Sequence, residues 1–406
     1  MRSSAVLALL VLSASALADD TTTEFGGHTK LRVTGRGYPG DSAFRDAVGE
    51  TATDVLADVR LNGRARSGRW SLETNYQLVG TVADTLPLTG PVNDDRRRMD
   101  LTVVLDERAD SALLHRLDRL WIGYASEKAV VRIGRQALSW GSGLFYAPMD
   151  LVNPFDPAAI DTEYKAGDDM LYLQYLRDGG DDVQAAWVAR RDPATGRTGA
   201  DEATVAVKYH GFAGFGEYDL LVAQSYGDTV FGAGTGRSIG GAVWNAELVV
   251  TDTQLDVHAQ FVTNLSYSWV GGGRNMTGAV EYFYNGFGQR GQRYAPGDLA
   301  GNPELARRLA RGDLFAPGRH YVAGSITIEM TPLWRLAPTL LANLGDPSAL
   351  LQLVTDYSLS DDMTLLGSID LPLGASGSEF GGAESGVPGR YLSRGAGFFA
   401  QFAWYF

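Results

Sequence analysis

Residues 395–406 read GAGFFAQFAWYF, and this segment decides the fold class. Apolar side chains occupy every second position, whereas the intervening positions mix polar and apolar residues. Because successive side chains of a β-strand point to opposite faces, this period of two predicts a strand. One of its faces is suited to lipid, since it carries Phe398, Ala400, Phe402, Trp404 and Phe406.

The same alternation recurs along most of the chain. In residues 55–66, for example, valine, alanine and leucine alternate with aspartate, asparagine and arginine. The pattern predicts eighteen strands, near residues 27–37, 55–66, 69–80, 116–125, 129–138, 169–177, 182–191, 203–210, 215–226, 228–236, 239–250, 255–270, 276–285, 320–331, 334–343, 347–359, 362–372 and 395–406. The glycine-rich segment 228–236 is the weakest of these assignments.

The connections between the strands fall into two alternating classes. One class contains only short turns, such as 67–68, 237–238 and 360–361. The other contains every long loop: 38–54, 81–115, 139–168, 192–202, 286–319 and 373–394. Outer-membrane barrels have short periplasmic turns and longer external loops. We therefore predict an all-β fold, a transmembrane antiparallel β-barrel of about 18 strands, or 16 if two weak assignments fail.

Two helices are expected within the loops. Asn302, Pro303 and Gly312 suit the N-cap, the first helical position and the position after the C-cap, which predicts a helix between them. Residues 105–118 are a second helical candidate.

The first residues predict an export signal at 1–18, followed by one barrel domain at 19–406. Arg2 precedes the short apolar run Ala5–Leu12, and Ala16-Leu17-Ala18 offers small residues for cleavage. The apolar run is too short to span a bilayer as a helix, which needs about 20 residues.

Composition excludes several classes of function. The chain has no cysteine, and its formal net charge of −13 argues against nucleic acid as a partner. We predict no cofactor and no metal site. The acidic residues Asp161, Glu163, Asp168 and Asp169 could attract calcium, but their spacing is not that of an EF-hand.

A barrel of this size leaves an aqueous lumen, and charged residues at inward positions are expected to line it. The basic candidates are Lys30, Arg32, Arg36, Arg60, Arg64, Arg66, Arg119 and Arg132. The acidic candidates are Glu73, Glu247, Asp256, Glu281, Glu329, Asp356 and Asp370. These charges either select solutes or pair with one another across neighbouring strands.

Loop 139–168 is the most distinctive connection, because it is long, aromatic and rich in aspartate and proline. We predict that it folds into the lumen and narrows it, the alternative being a compact cap on the surface. The residues expected to form this constriction are Trp140, Phe145, Asp150, Asn153, Phe155 and Asp156.

The segments GRQALSWGSGLF (134–145) and DLVNPFDP (150–157) carry a resemblance. They are similar to the GRQ…WG…NPF segment of Gram-negative outer-membrane barrels, a group that includes alginate-export-type porins. The resemblance implies a porin and a loop with a shared structural role. The terminal strand likewise looks like the signal read by the barrel assembly machinery, with Phe402, Trp404 and Phe406 as its key residues.

These observations favour a channel for passive diffusion of small polar or charged solutes across the outer membrane of a Gram-negative bacterium. One alternative is the outer-membrane component of a polysaccharide or lipid exporter with partner proteins. A hydrolase is the weakest alternative, because none of the five histidines lies beside a nucleophile motif. Expected partners are outer-membrane lipid and lipopolysaccharide, the assembly machinery and small polar solutes; a homo-oligomer is compatible with the sequence.

Overall fold

The computed structural model describes residues 21–214, 216–291 and 293–406. The predicted export signal at 1–18 lies outside these residues. Five short helices occupy loops, at Arg45–Val48, Leu86–Thr89, Pro296–Ala300, Pro303–Arg311 and Glu379–Gly382. Among the described residues, no helix has the length and apolarity needed to cross a bilayer.

Nineteen strands of the described residues form one sheet. Their bounds are β1 Thr21–Gly37, β2 Thr51–Ser67, β3 Trp70–Ala83, β4 Thr102–Glu107, β5 Ser111–Ala125, β6 Ala129–Gln136, β7 Asp168–Leu176, β8 Asp182–Val188, β9 Thr204–Ala213, β10 Gly216–Ser225, β11 Asp228–Ile239, β12 Ala242–Asp252, β13 Val257–Gly271, β14 Arg274–Asn285, β15 His320–Thr331, β16 Trp334–Asn343, β17 Ser348–Ser358, β18 Met363–Leu373 and β19 Gly397–Tyr405. The weakly predicted strand at 228–236 is therefore present, as β11.

The sheet closes on itself. Each wall strand pairs antiparallel with its neighbour along the chain, and the last strand pairs with the first, with Phe402 opposite Leu31. On its other side Leu31 lies opposite Ala57 of β2. With β4 set aside, eighteen strands form the wall, which confirms the predicted antiparallel barrel.

The strand β4 pairs with the part of β5 that β6 does not reach. β6 is short and pairs only with Leu120 to Ala125 of β5. Further along β5, β4 takes over the free edge, with Thr102 opposite Arg116. Residues 105–118 are therefore a hairpin, and the predicted helix there is wrong. Once β6 leaves the wall, the amides of β5 need a new partner, and a strand supplies it.

The two faces of the barrel differ in polarity. Large apolar side chains on the outer face are strongly exposed, including Leu31, Trp187, Phe231 and Ile369. Inward positions of the same strands carry charged and amide residues, many of them buried, such as Lys30, Arg60 and Glu247. An apolar exterior around a polar interior is the pattern of a membrane barrel.

The longest loop helix has the predicted caps. The side chain of Asn302 accepts a hydrogen bond from the amide of Leu305, and Pro303 opens the helix. Gly312 ends it in the left-handed conformation, with φ of 73°. Leu305 is fully buried, which shows that this helix packs inward.

Candidate functional site

The third long loop, residues 137–167, runs inside the barrel. It leaves β6 at Gln136 and rejoins the wall at Asp168, which lies directly opposite Gln136. Between these points its residues bond to β1, β12, β14, β17 and β19. The candidate site consists of this loop and the inner wall that it faces.

The carboxylate of Glu247 on β12 holds the first part of the loop. It accepts the amides of Ser142, Gly143 at 3.1 Å and Met149 at 3.4 Å, together with the Ser142 hydroxyl at 2.9 Å. Gly141 makes the approach feasible. It has φ of 97°, and a Cβ there would lie 2.9 Å from Oε1 of Glu247.

Glu281 on β14 holds the next three residues in the same way. It accepts the amides of Leu144 at 2.5 Å, Phe145 at 3.0 Å and Tyr146 at 2.7 Å. Asn264 links the two contacts, since its amide donates to the Ser142 carbonyl at 2.9 Å and to Glu281 at 3.2 Å. Charged acceptors of this kind form the stronger class of hydrogen bond.

The far part of the loop is held by the opposite sign of charge. Asp161 bonds to Nζ of Lys30 and to Nη2 of Arg32, both at 2.9 Å, and Glu163 lies 2.7 Å from Lys30. Tyr405 of β19 donates to Glu163 at 2.8 Å. Burial alone would raise the pKa of Asp161, but the Lys30 ammonium lowers it to about 2.

Lys165 ties the two ends of the loop together. Its ammonium donates to the Leu138 carbonyl at 2.6 Å, the Ser139 hydroxyl at 3.0 Å and Asp150 at 2.5 Å. Burial raises the pKa of Asp150 to about 6, although the adjacent ammonium opposes the shift. The loop is therefore closed by an internal ion pair.

Apolar side chains of the loop pack as a core. Trp140, Met149 and Val152 lie against Met170, Val188 and neighbouring wall residues. The Trp140 indole donates to Gln184 at 2.7 Å. Tyr146 stacks on Phe283 with centroids 4.7 Å apart, and Phe145 packs against the same cluster.

The tip of the loop is more open. Asn153 adopts a positive φ of 49° and donates to the Ala166 carbonyl at 3.3 Å. Phe155 is 37% exposed, and the exposed Asp156 accepts the amide of Ala158 at 2.8 Å. The tip thus presents an aromatic ring and a carboxylate to the interior.

A cavity of about 590 Å³ lies between this tip and the wall. Its basic groups are Arg36 of β1 and Arg394, which precedes β19. Its carboxyl groups include Asp156 of the loop, Asp370 of β18 and Glu379 of the segment after β18. Arg36 is paired with Asp370 at 2.6 Å, and Arg394 lies 5.4 Å above the Phe44 ring. Charges of both signs therefore surround the cavity.

The structure divides the predicted pore-lining residues into two groups. The residues of the first group are partly or fully exposed on inward faces: Arg32, Arg36, Arg64, Arg66, Arg132 and Glu329. Glu73 belongs with them, because it is bonded to Arg64. Five others are at most 7% exposed and do not line an open path: Lys30, Arg60, Arg119, Glu247 and Glu281. The third loop covers or bonds them, because its amides, carboxylates and rings are the partners that their charges need.

Asp256 was predicted on the wall and lies elsewhere. β13 begins at Val257, and Asp256 closes the turn before it. Its carbonyl accepts the Thr253 amide at 3.0 Å, and its side chain accepts the Val257 amide at 2.8 Å. The alternation at 255–261 begins two residues before the strand does. The hydrogen bonds within the turn prevent Asp256 from joining the backbone pairing of β13.

Several buried charges were not predicted. Asp118 binds Arg60, Arg116 and Arg119. Arg135, within the GRQ segment, is fully buried and bonds Asp94 and Asp169, both at 2.9 Å. Asp168 bonds Arg190 at 2.8 Å, so the acidic residues considered for calcium have basic partners. Alternation over 112–118 was the available signal for Arg116 and Asp118.

Solved structures share this architecture. No family model and no curated protein sequence matches the chain. OccAB1 of Acinetobacter baumannii is 10% identical, with a TM-score of 0.52 over 97% of this chain and 98% of that chain. A BenF-like porin from Pseudomonas fluorescens Pf-5 is 8% identical, with a TM-score of 0.53 over 96% and 100%. The chain has a porin fold. OccAB2 of A. baumannii agrees, at 11% identity and a TM-score of 0.54 over 95% and 98%.

Proposed function

We propose that this barrel is a channel in the outer membrane of a Gram-negative bacterium, through which small polar or charged solutes diffuse passively. The observation that carries the proposal is the third loop, which crosses the interior and leaves a charged cavity beside it. The apolar outer face and the porin fold support a membrane location.

Selection would act at the loop tip. Arg36 and Arg394 supply positive charge around the cavity, and Asp156 and Asp370 supply negative charge. Such a field stabilises polar and charged solutes relative to apolar ones, and the distance between the tip and the wall sets the size limit. Arg32 extends the positive side along β1, since its side chain is 32% exposed beside Asp161.

Deleting residues 144–160 tests the constriction. The deletion removes the tip and the amides held by Glu281, so larger single-channel conductance steps are expected from refolded protein in planar bilayers. A matched control deletes 193–199, which lie in another loop and bond to neither Glu247 nor Glu281. Intact protein that does not conduct would contradict the channel, and unchanged steps after deletion would contradict the constriction.

Replacing Arg394 with alanine tests the charge filter. Reversal potentials in a salt gradient should move towards cation preference, because a positive charge beside the cavity is lost while Asp156 and Asp370 remain. Arg335→Ala is the control, since that side chain is 58% exposed and pairs with Asp356 on β17. Equal potentials for the Arg394 variant and the unaltered protein would refute the assignment.

We also propose that the chain is related to the alginate-export-like group of outer-membrane barrels. This proposal rests on the segments 134–145 and 150–157. Trp140 of the first segment joins the loop to Gln184 of β8, and Arg135 joins β6 to Asp169 of β7. An exporter function would be favoured instead by co-purification with periplasmic proteins and by a lack of conductance for small ions.

A further inference from the structure

A second, smaller cavity of about 240 Å³ lies behind the far part of the third loop. His28, Asp58, Arg60 and Arg116 line it from the wall, and Tyr164 of the loop covers it. The Tyr164 ring lies 4.1 Å from the Arg60 guanidinium and 5.2 Å from the His28 ring. The channel proposed above uses Arg32 at the edge of this cavity but gives no role to Asp58, Arg60 or Arg116.

The charges around this cavity do not balance. Arg60, Arg116 and Arg119 all bond to the single carboxylate of Asp118, at 2.9, 2.5 and 2.8 Å. Asp58 adds one further negative charge; among the described residues it is contacted by the His28 imidazole at 3.5 Å and by the Gln77 amide at 2.8 Å. Three guanidinium groups thus face two carboxylates.

Neighbouring carboxylates are already engaged by other cations. Asp94 binds Arg97 at 3.0 Å and Arg135 at 2.9 Å. Glu73 binds Arg64 at 2.5 Å, and Arg64 also lies 4.0 Å from Glu24. Asp161 and Glu163 neutralise Lys30 and Arg32. Close to the cavity, the guanidinium groups of Arg60, Arg116 and Arg119 therefore outnumber the carboxylates bonded to them, and a buried charge without a close counter-ion is costly.

Four buried polar atoms of the lining residues also lack a hydrogen-bond partner among the residues that the structure describes. They are Nε of Arg60, Nε of Arg116, Oδ1 of Asp58 and Nδ1 of His28. All four residues are more than nine-tenths buried, with exposures of 4%, 7%, 8% and 1%. The two arginine atoms donate, Oδ1 of Asp58 accepts, and Nδ1 of a neutral His28 accepts when Nε2 faces Asp58.

We propose that this cavity binds a small oxyanion that retains protons, of the class of dihydrogen phosphate. A monoanion brings negative charge close to these guanidinium groups, which water cannot do. Its unprotonated oxygens accept hydrogen bonds from Arg60 and Arg116, and its hydroxyl groups donate hydrogen bonds to Asp58 and His28. Guanidinium groups are well suited to phosphate oxygens.

The requirement for a proton on the ligand separates phosphate from sulfate. A sulfate oxygen has no hydrogen to give Asp58 and meets that carboxylate as a like charge. At mildly acidic pH, where phosphate is mostly the monoanion, we therefore expect phosphate to bind roughly tenfold or more tightly than sulfate.

The test is calorimetric titration of the refolded full-length protein, in phosphate-free detergent, with sodium phosphate or sodium sulfate. Saturable phosphate binding with a weaker sulfate response is the expected result. Arg116→Gln should weaken phosphate binding at least roughly tenfold. This variant still leaves Asp118 bonded to Arg60 and Arg119, so the fold is retained.

Two further variants sharpen the result. Asp58→Asn supplies an amide donor and removes the like charge, so it should bring sulfate affinity up to that of phosphate. Arg335→Gln, on the exposed pair with Asp356, should change neither anion. Absence of saturable phosphate binding, equal binding of both anions by the unaltered protein, or an unaffected Arg116→Gln variant would overturn the proposal. Conductance is measured separately, so failure of this site and failure of the channel are distinguishable.

Discussion

At the scale of single residues, the acidic side chains of the inner wall work mainly as hydrogen-bond acceptors. Glu247 and Glu281 are each 1% exposed, and neither forms an ion pair with a basic residue in the part of the chain described. Each instead accepts three backbone amides of the third loop. A buried carboxylate is tolerated when several donors satisfy it, and the same bonds satisfy amides that the loop could not pair internally.

Replacing Glu247 with alanine should therefore loosen the loop without opening the wall. Three amides lose their acceptor, at a cost of about 1–3 kcal/mol for each buried donor left unpaired. We expect larger and noisier single-channel currents. Glu329→Ala is the matched control, because Glu329 is exposed near the end of β15 and bonds Asn275. Currents identical to those of the unaltered protein would show that other contacts suffice.

At the scale of elements, the segment between β18 and β19 is attached through a carboxyl group. Glu379 begins the short helix Glu379–Gly382 and accepts bonds from Tyr321 at 2.6 Å and Asn343 at 2.7 Å. Burial raises its pKa from 4.5 to about 8, and the nearby carboxylates of Asp346 and Asp156 add to the shift. The segment is thus held by a carboxyl group that stays protonated at neutral pH.

Attachment of this segment should weaken as pH rises. The folded pKa of Glu379 lies above the ordinary value, so its stabilising effect is complete below about 4.5 and is lost as pH passes through about 8. Proteolysis within 374–396 should accelerate over that window. Glu379→Gln, which is neutral at every pH, should remove the dependence. A variant with the same pH profile as the parent would assign the effect to another group.

The alternation of polar and apolar residues predicted the strands well, but it did not predict which residues contact their inward side chains. The strands at 320–331 and 334–343 begin and end at the predicted residues. A period of two reports which face of a strand a residue occupies, which is why the sequence assigns Lys30 and Glu247 to the same face as other polar residues. It does not report what covers that face. The amides that bind Glu247 lie about a hundred positions earlier in the chain and have no sequence signature of their own.

At the scale of the whole molecule, closure depends on one seam. β19 pairs with β1 from Gly397 opposite Arg36 to Tyr405 opposite His28. Beyond it, Phe406 exchanges backbone bonds with Gly27, at 2.8 and 3.1 Å. The strand count and the parity of short and long connections were predictable, because a closed antiparallel sheet permits few alternatives. Where the third loop would dock was not predictable, since that depends on the closed interior.

Phe406→Ser should lower the amount of assembled barrel in the membrane. The side chain is 52% exposed on the outer face, so little folded-state packing is lost. A loss of assembly would then reflect recognition of the terminal strand. Refolding in detergent should be nearly unchanged. Phe398→Ser, on the same face and 48% exposed, is the control. Equal loss for both variants would indicate a general effect of polarity.

The course of the third loop also sets an order of events during folding. Its anchors lie on β1, β12, β14, β17 and β19, so its docking site exists only after the first and last strands have met. Contacts so distant in sequence close slowly. A newly closed barrel should first be a wide pore, and the loop should settle into it as a separate, later kinetic phase, visible as conductance that falls with time after closure.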